Sequence, residues 1–128
     1  NGVMGSFKEC NGCWFYFDIV YDKVYDSHNI SIQYDGDDWL FIKQIIFLAD
    51  GDRIVLPFEG NRDFYGGSVT EWDIIDIKRE NLLKIVNATE LSCRLSGKYY
   101  YDIDNKAIKP IQNRWKQFTE GMLKPYIE

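Results

Sequence analysis

The most reactive side chains of this 128-residue chain are three cysteines and a single histidine. Cys10 and Cys13 stand in CNGC, the spacing of half a tetrahedral zinc site, with Cys93 and His28 as the remaining soft partners. The second half lacks a paired motif, so a local disulfide or free thiols fit better than a metal. A redox CxxC needs a helix N-terminus to lower the thiol pKa, and this one precedes a strand-like run. His28 would have to be the base of any Ser-His-Asp or Cys-His arrangement, yet it lies in the polar DSHN stretch and reads as a solvated turn residue. Twenty Asp and Glu guarantee carboxylate pairs, so pairing singles out no glycosidase couple. Asp35, Asp37 and Asp38, or Asp102, Asp104 and Asn105, cluster oxygen ligands without the EF-hand spacing. Gly66 and Gly67 lack the Lys and Ser/Thr of a phosphate loop. The sequence nominates no catalytic residue, no metal site and no cofactor.

Aromatic surface chemistry is the stronger signal. Nine Tyr, eight Phe and four Trp make 16% of the chain, a bias towards strands and half-buried surfaces. Tyr99, Tyr100 and Tyr101 cannot all point inward, because successive strand residues alternate, and Tyr100 is the simplest to place outward. Tyr21, Tyr25 and Tyr65 are the residues that would join it in a sugar-binding surface.

The net charge is −5 and the fifteen Lys and Arg are scattered, which gives no concentrated footprint for nucleic acid. No apolar run is long enough to span a bilayer as a helix; the longest is broken by Lys43 and Gln44. The first residue is Asn1 rather than Met, and the sequence leaves open whether a signal segment once preceded it. The length suits one domain, 1–128, with residues 1–9 read as a flexible lead.

These residues must be positioned mainly by strands. Residues 13–21 (CWFYFDIVY) and 29–34 (NISIQY) alternate, with Phe15, Phe17, Ile19, Tyr21 and then Ile30, Ile32, Tyr34 facing inward. Residues 39–49 are apolar on both faces and read as one long strand covered on both sides. Asp50 and Gly51 supply a type I′ turn, and residues 53–56 return to Pro57. Residues 59–67 read as a polar loop enclosing Phe64 and Tyr65, and 68–77 as another strand. In that strand Asp73 and Asp76 suggest an edge or bend. Leu82, Ile85 and Val86 predict a helix over 79–87. Strands follow at 90–95 and 99–103. Ile108, Ile111, Trp115, Phe118 and Met122 mark an amphipathic helix over 107–123, with Pro110 in its first turn and Pro125 as its stop.

Trp39, Leu40, Phe41 and Ile42 ahead of the Asp50–Gly51 hairpin, then Arg94, Leu95, Gly97 and Tyr100 in an RLxGxxY-like strand, resemble an uncharacterised family of small bacterial secreted or lipoprotein-like domains. The resemblance covers most of the chain from Trp14 and implies a compact β-rich domain with a terminal helix, and export. Cys93 replaces a valine of the pattern, a swap between small apolar side chains. Cys10 and Cys13 fall outside the pattern, which leaves the N-terminal part unassigned.

The fold expected is mainly β, an antiparallel sandwich-like domain with helices near 79–87 and 107–123. The function expected is a non-enzymatic extracytoplasmic binding or accessory module contacting a protein partner. A carbohydrate-binding module is the alternative, and a small enzyme the third reading. Oligomeric state is left open.

Overall fold

The structure, a computed structural model, describes the backbone of residues 3–6 and 14–127 and the side chains of 14–64 and 66–121. Among the described residues, nine strands form two antiparallel sheets. The first sheet runs β1-β2-β3-β7-β6, from β1 (Val3–Ser6), β2 (Trp14–Asp22), β3 (Ser27–Gly36), β7 (Ser68–Ile77) and β6 (Asn61–Tyr65). The second runs β5-β4-β8-β9, from β4 (Gln44–Ala49), β5 (Asp52–Pro57), β8 (Leu91–Ser96) and β9 (Tyr100–Ile103). Within the stretch read as a lead, Val3–Ser6 pairs with β2 as an edge strand, Met4 opposite Tyr16. Cys10 and Cys13 lie outside the described residues.

Period-two alternation sets the faces. Phe15, Phe17 and Ile19 of β2, Ile30 and Ile32 of β3, and Ile75 and Ile77 of β7 turn inward from one sheet; Ile45, Phe47, Leu91, Cys93 and Leu95 turn inward from the other. Two helices complete the core. Helix α1 (Arg79–Asn87) buries Leu82, Ile85 and Val86. Helix α2 (Asn105–Ile127) buries Ile108, Ile111 and Trp115. The Trp115 ring stacks 6.1 Å from Phe17 and lies 6.3 Å from Phe47, so one side chain joins α2 to both sheets. Gln112 of α2 donates to the carbonyls of Ile85 and Ala88 at 2.9 and 2.7 Å, capping the end of α1 from outside.

The Asp50–Gly51 turn forms as expected, with φ of 50° and 90°, and joins β4 to β5 in register from Ala49 and Asp52. Four further details differ in the elements themselves. Residues 39–43 are not strand; β4 starts at Gln44, and Phe41 takes φ of 54°. The outer face of β4 is open rather than covered, with Leu48 46% exposed. Residues 61–65 form β6, a polar edge strand turning at Gly66 and Gly67, and Phe64 is 63% exposed. Helix α2 starts before the expected boundary, because the Asp104 carboxylate accepts the Ala107 N–H as a cap, and it continues through Pro125.

Candidate functional site

The departure of residues 39–43 from strand geometry creates the most unusual arrangement in the molecule. Its cause lies on β7. Glu71 falls on the inward face between Val69 and the Asp73 position, and its side chain is fully buried. A buried carboxylate is tolerated only when its oxygens are satisfied. Here Oε2 accepts the backbone N–H of Leu40 at 2.8 Å and of Phe41 at 3.2 Å, while Oε1 accepts that of Ile42 at 2.8 Å. The Arg62 Nε, on β6, donates to Oε1 at 3.1 Å, and its Nη2 donates to the Ile42 carbonyl at 3.0 Å. Three successive amides converge on one carboxylate only if the chain curls. The left-handed φ of Phe41 provides that curl, rare for a bulky residue and a mark of a conformation fixed by its surroundings.

The loop is also tied to the second sheet. Tyr99 N–H donates to the Leu40 carbonyl at 3.2 Å and Lys43 N–H to the Ser96 carbonyl at 2.8 Å. Gly97 lies so close that an added Cβ would clash with the Phe41 carbonyl oxygen, so any side chain there would displace the loop. Leu40 and Ile42 are thereby driven into the core, and Phe41 is turned out, 37% exposed, against Trp39. The two rings lie 6.1 Å apart at 29°.

Trp39, Phe41, Tyr99 and Tyr100 line an open cleft of about 420 Å³, with Tyr34, Tyr101, Leu40 and Asp38 completing its wall. The Tyr34 hydroxyl donates to the Asp38 carbonyl at 3.0 Å, and its ring lies 6.0 Å from Tyr101. Burial pushes the Tyr34 phenol well above its ordinary range, with the neighbouring Tyr101 and Glu71 adding to the effect. Cations border the rings: Arg94 stands 4.2 Å over Tyr100, Lys98 lies between Phe41 and Tyr99 at 5.9 and 5.6 Å, and Arg62 lies 5.8 Å from Phe41. Arg94 is further held by a two-point pair with Asp102 at 2.6 and 2.9 Å, whose hydrogen bonds raise its pKa.

The tyrosines singled out by sequence do not come together. Tyr100 is exposed on the cleft, as its position in β9 requires. Tyr21 and Tyr25 sit at the other end of the β2–β3 hairpin. Tyr21 pairs with His28, and the run of β3 from there to Tyr34 is roughly 20 Å at about 3.3 Å per residue. The Tyr65 side chain lies outside the described residues. The cleft instead recruits Trp39, Phe41 and Tyr99, the first two from a stretch whose sequence reads as a core strand. One signal pointed to the clamp: an acidic residue, Glu71, on the apolar face of an alternating strand.

His28 also departs from its reading as a solvated turn residue. It continues the inward face of Ile30 and Ile32, is 3% exposed, and packs 4.9 Å from the Tyr21 ring. Its Nε2 has no partner among the described residues, and burial, with help from the nearby Arg79 charge, lowers its pKa. Asp26 beside it accepts the Tyr21 hydroxyl at 2.7 Å and Arg79 Nη2 at 2.6 Å. The Tyr21 bond leads in holding its carboxyl below the usual range. Only His28 of this cluster is buried; the Asp26 and Arg79 side chains are 55% and 39% exposed. Cys93 is buried in β8 with its thiol pKa raised by burial.

Among the described residues, no three His, Cys, Asp or Glu side chains gather as a metal site, and no helix is long and apolar enough to cross a membrane. Set against protein-family models, curated proteins and solved structures, the chain has no significant match.

Proposed function

We propose that the protein is a non-catalytic binding module whose aromatic cleft takes a carbohydrate. The observation that carries this reading is the near-parallel pair of Trp39 and Phe41, displayed with exposed Tyr99 and Tyr100 around one cleft. Flat ring faces suit the apolar faces of pyranose rings. The Tyr hydroxyls and the Asp38 carboxylate supply the few directional polar groups that a ligand site of this size uses, within a range of roughly 300–1,000 Å³. The single carboxylate and phenols of the wall suit binding better than acid–base chemistry, because the nearby Glu71 is already engaged by four donors.

A protein partner is the second reading. It draws less support from the outer sheet faces, where Val20 lies opposite Asn29, Ile74 opposite Ser31, and Leu48 between Arg53 and Ser92. Polar neighbours separate Val20 and Ile74, and the apolar group of Ile46, Leu48 and Val55 on the second sheet is small, three side chains bordered by Arg53 and Ser92. An extracytoplasmic setting, implied by the family resemblance, belongs to the same proposal and suits a glycan ligand.

Screening the protein against an oligosaccharide array, followed by calorimetry on the hits, tests the reading. Trp39→Ala and Tyr100→Ala are expected to weaken binding at least tenfold with the circular dichroism unchanged, whereas Tyr25→Ala leaves it intact. Absence of any glycan ligand, or equal affinity in all three variants, would sink it.

A further inference from the structure

We propose that Glu71, seconded by Arg62, is the positioning residue of the cleft: it sets the loop of residues 38–42 in the shape that presents Trp39 and Phe41 to a ligand. This rests on the binding role given to the cleft above. Neither residue lines the cleft wall, so each acts through the loop.

A buried carboxylate is a poor choice for holding a sandwich together, since apolar side chains of similar volume do that without desolvating a charge. Glu71 sits where Val69 and Ile75 show that an apolar residue is the local norm. What the carboxylate does, and an apolar residue cannot, is gather consecutive amides. The N–H groups of Leu40 and Ile42 approach it at 2.8 Å each and that of Phe41 at 3.2 Å, an arrangement available to the left-handed Phe41 and not to a continuing strand. Had residues 39–43 simply extended β4, Phe41 would have stood on a sheet face rather than stacked on Trp39 at the cleft. Arg62 serves the same end from the far side. It binds both the carboxylate and the Ile42 carbonyl, and its guanidinium borders the Phe41 ring, so backbone and ring are fixed by one pair of side chains. Glu71 is reached from β7, Arg62 from β6, and the loop closes on Gly97 beyond β8, so three separate segments agree on one loop geometry.

Glu71→Gln is the direct test, because it keeps size and shape but places an amide nitrogen among donors. Amide hydrogen exchange and oligosaccharide affinity are measured together, with the tightest array hit of the wild type as probe. The expected result is exchange at Leu40 and Ile42 raised at least tenfold more than at Phe17 and Ile32 in the core, and affinity lowered at least tenfold. Tyr100→Ala should lower affinity without touching exchange, which separates losing a wall residue from losing the loop. If Glu71→Gln folds poorly, Arg62→Lys repeats the test. That side chain is 37% exposed on an edge strand, and the variant keeps the charge while losing the fork to Ile42. Unchanged exchange at Leu40 and Ile42 would overturn the proposal, as would faster exchange with full affinity. Exchange rising uniformly through the core would also overturn it, by reducing Glu71 to a general stabiliser. A wild type that binds no oligosaccharide refutes the cleft's role and the positioning with it. That outcome is seen before any variant is made.

Discussion

Two carboxylates on opposite sides of β4 perform similar work under different conditions. Glu71 accepts backbone N–H groups from residues 40–42 ahead of the strand, and Asp50 accepts those of Thr89 and Glu90, at 3.0 and 2.8 Å, at its other end. Glu71 is fully buried and shares its charge with Arg62; Asp50 lies in an exposed turn. In water, an amide that loses such a partner finds another. In the core it does not, and the whole desolvation cost of the unpaired group appears. The same geometry is therefore a trim on one loop and a structural necessity on the other. Only the buried one dictates an unusual backbone.

Removing the buried acceptor is the severest way to break this contrast. Glu71→Ala should destabilise by roughly 3–5 kcal/mol in denaturant unfolding, since it strands the Leu40 and Ile42 amides and frees Arg62 of its counter-charge. A loss under about 1 kcal/mol would mean that water reaches these amides and that the two carboxylates are equivalent after all. Gly97→Ala probes the same loop from its other neighbour. The close approach to the Phe41 carbonyl predicts a cost of roughly 1–3 kcal/mol and a shifted Trp39 fluorescence, and an unperturbed variant would show the loop to be loosely seated.

His28 sharpens the comparison as a buried polar group whose Nε2 meets no partner among the described residues. Its folded pKa lies below the ordinary 6.5, so below that value the unfolded chain binds more protons than the folded one. Stability should be full above about pH 6.5 and fall as the pH drops through that value towards the folded pKa, and His28→Phe should flatten that window in a melting-temperature series. A slope that survives in the variant would assign it to other groups. The smallest effect is expected from Asp50→Asn, which keeps a residue at ease in the left-handed region. The Glu90 and Thr89 amides hold the Asp50 carboxyl below its usual 3.8, so its contribution is present above that value and lost as the pH falls from there through the lower folded pKa. Wild type and variant should thus differ slightly at neutral pH and converge in acid. A difference as large as that of Glu71→Ala would erase the distinction between the two sites.

Much of the fold is legible from local rules. The inward faces of β2, β3, β7 and β8 follow alternation, α1 follows its i, i+3, i+4 spacing, and the Asp50–Gly51 turn follows from the dihedrals those residues accept. The cleft is not legible in this way. Residues 39–43 have the composition of a buried strand, and what bends them is a side chain some thirty positions away, printed nowhere in their own pattern. β6 is hidden for a different reason. As an edge strand exposed on both faces, it has no apolar alternation to read. His28 was obscured by its polar neighbours, although its parity with Ile30 and Ile32 placed it inward.

The distance in sequence between Glu71 and the loop it holds also bears on how the chain acquires its shape. Acceptor and donors are 29 to 31 positions apart in sequence, with β4, β5 and β6 between them. Pairings of such range close slowly compared with a local hairpin, and β-rich chains of this kind fold in milliseconds to seconds. The Asp50–Gly51 hairpin should form on a timescale of about 1–10 μs. A clamp that closes last predicts that substitutions in the loop accelerate unfolding and leave the refolding rate nearly untouched, which stopped-flow chevron kinetics would check.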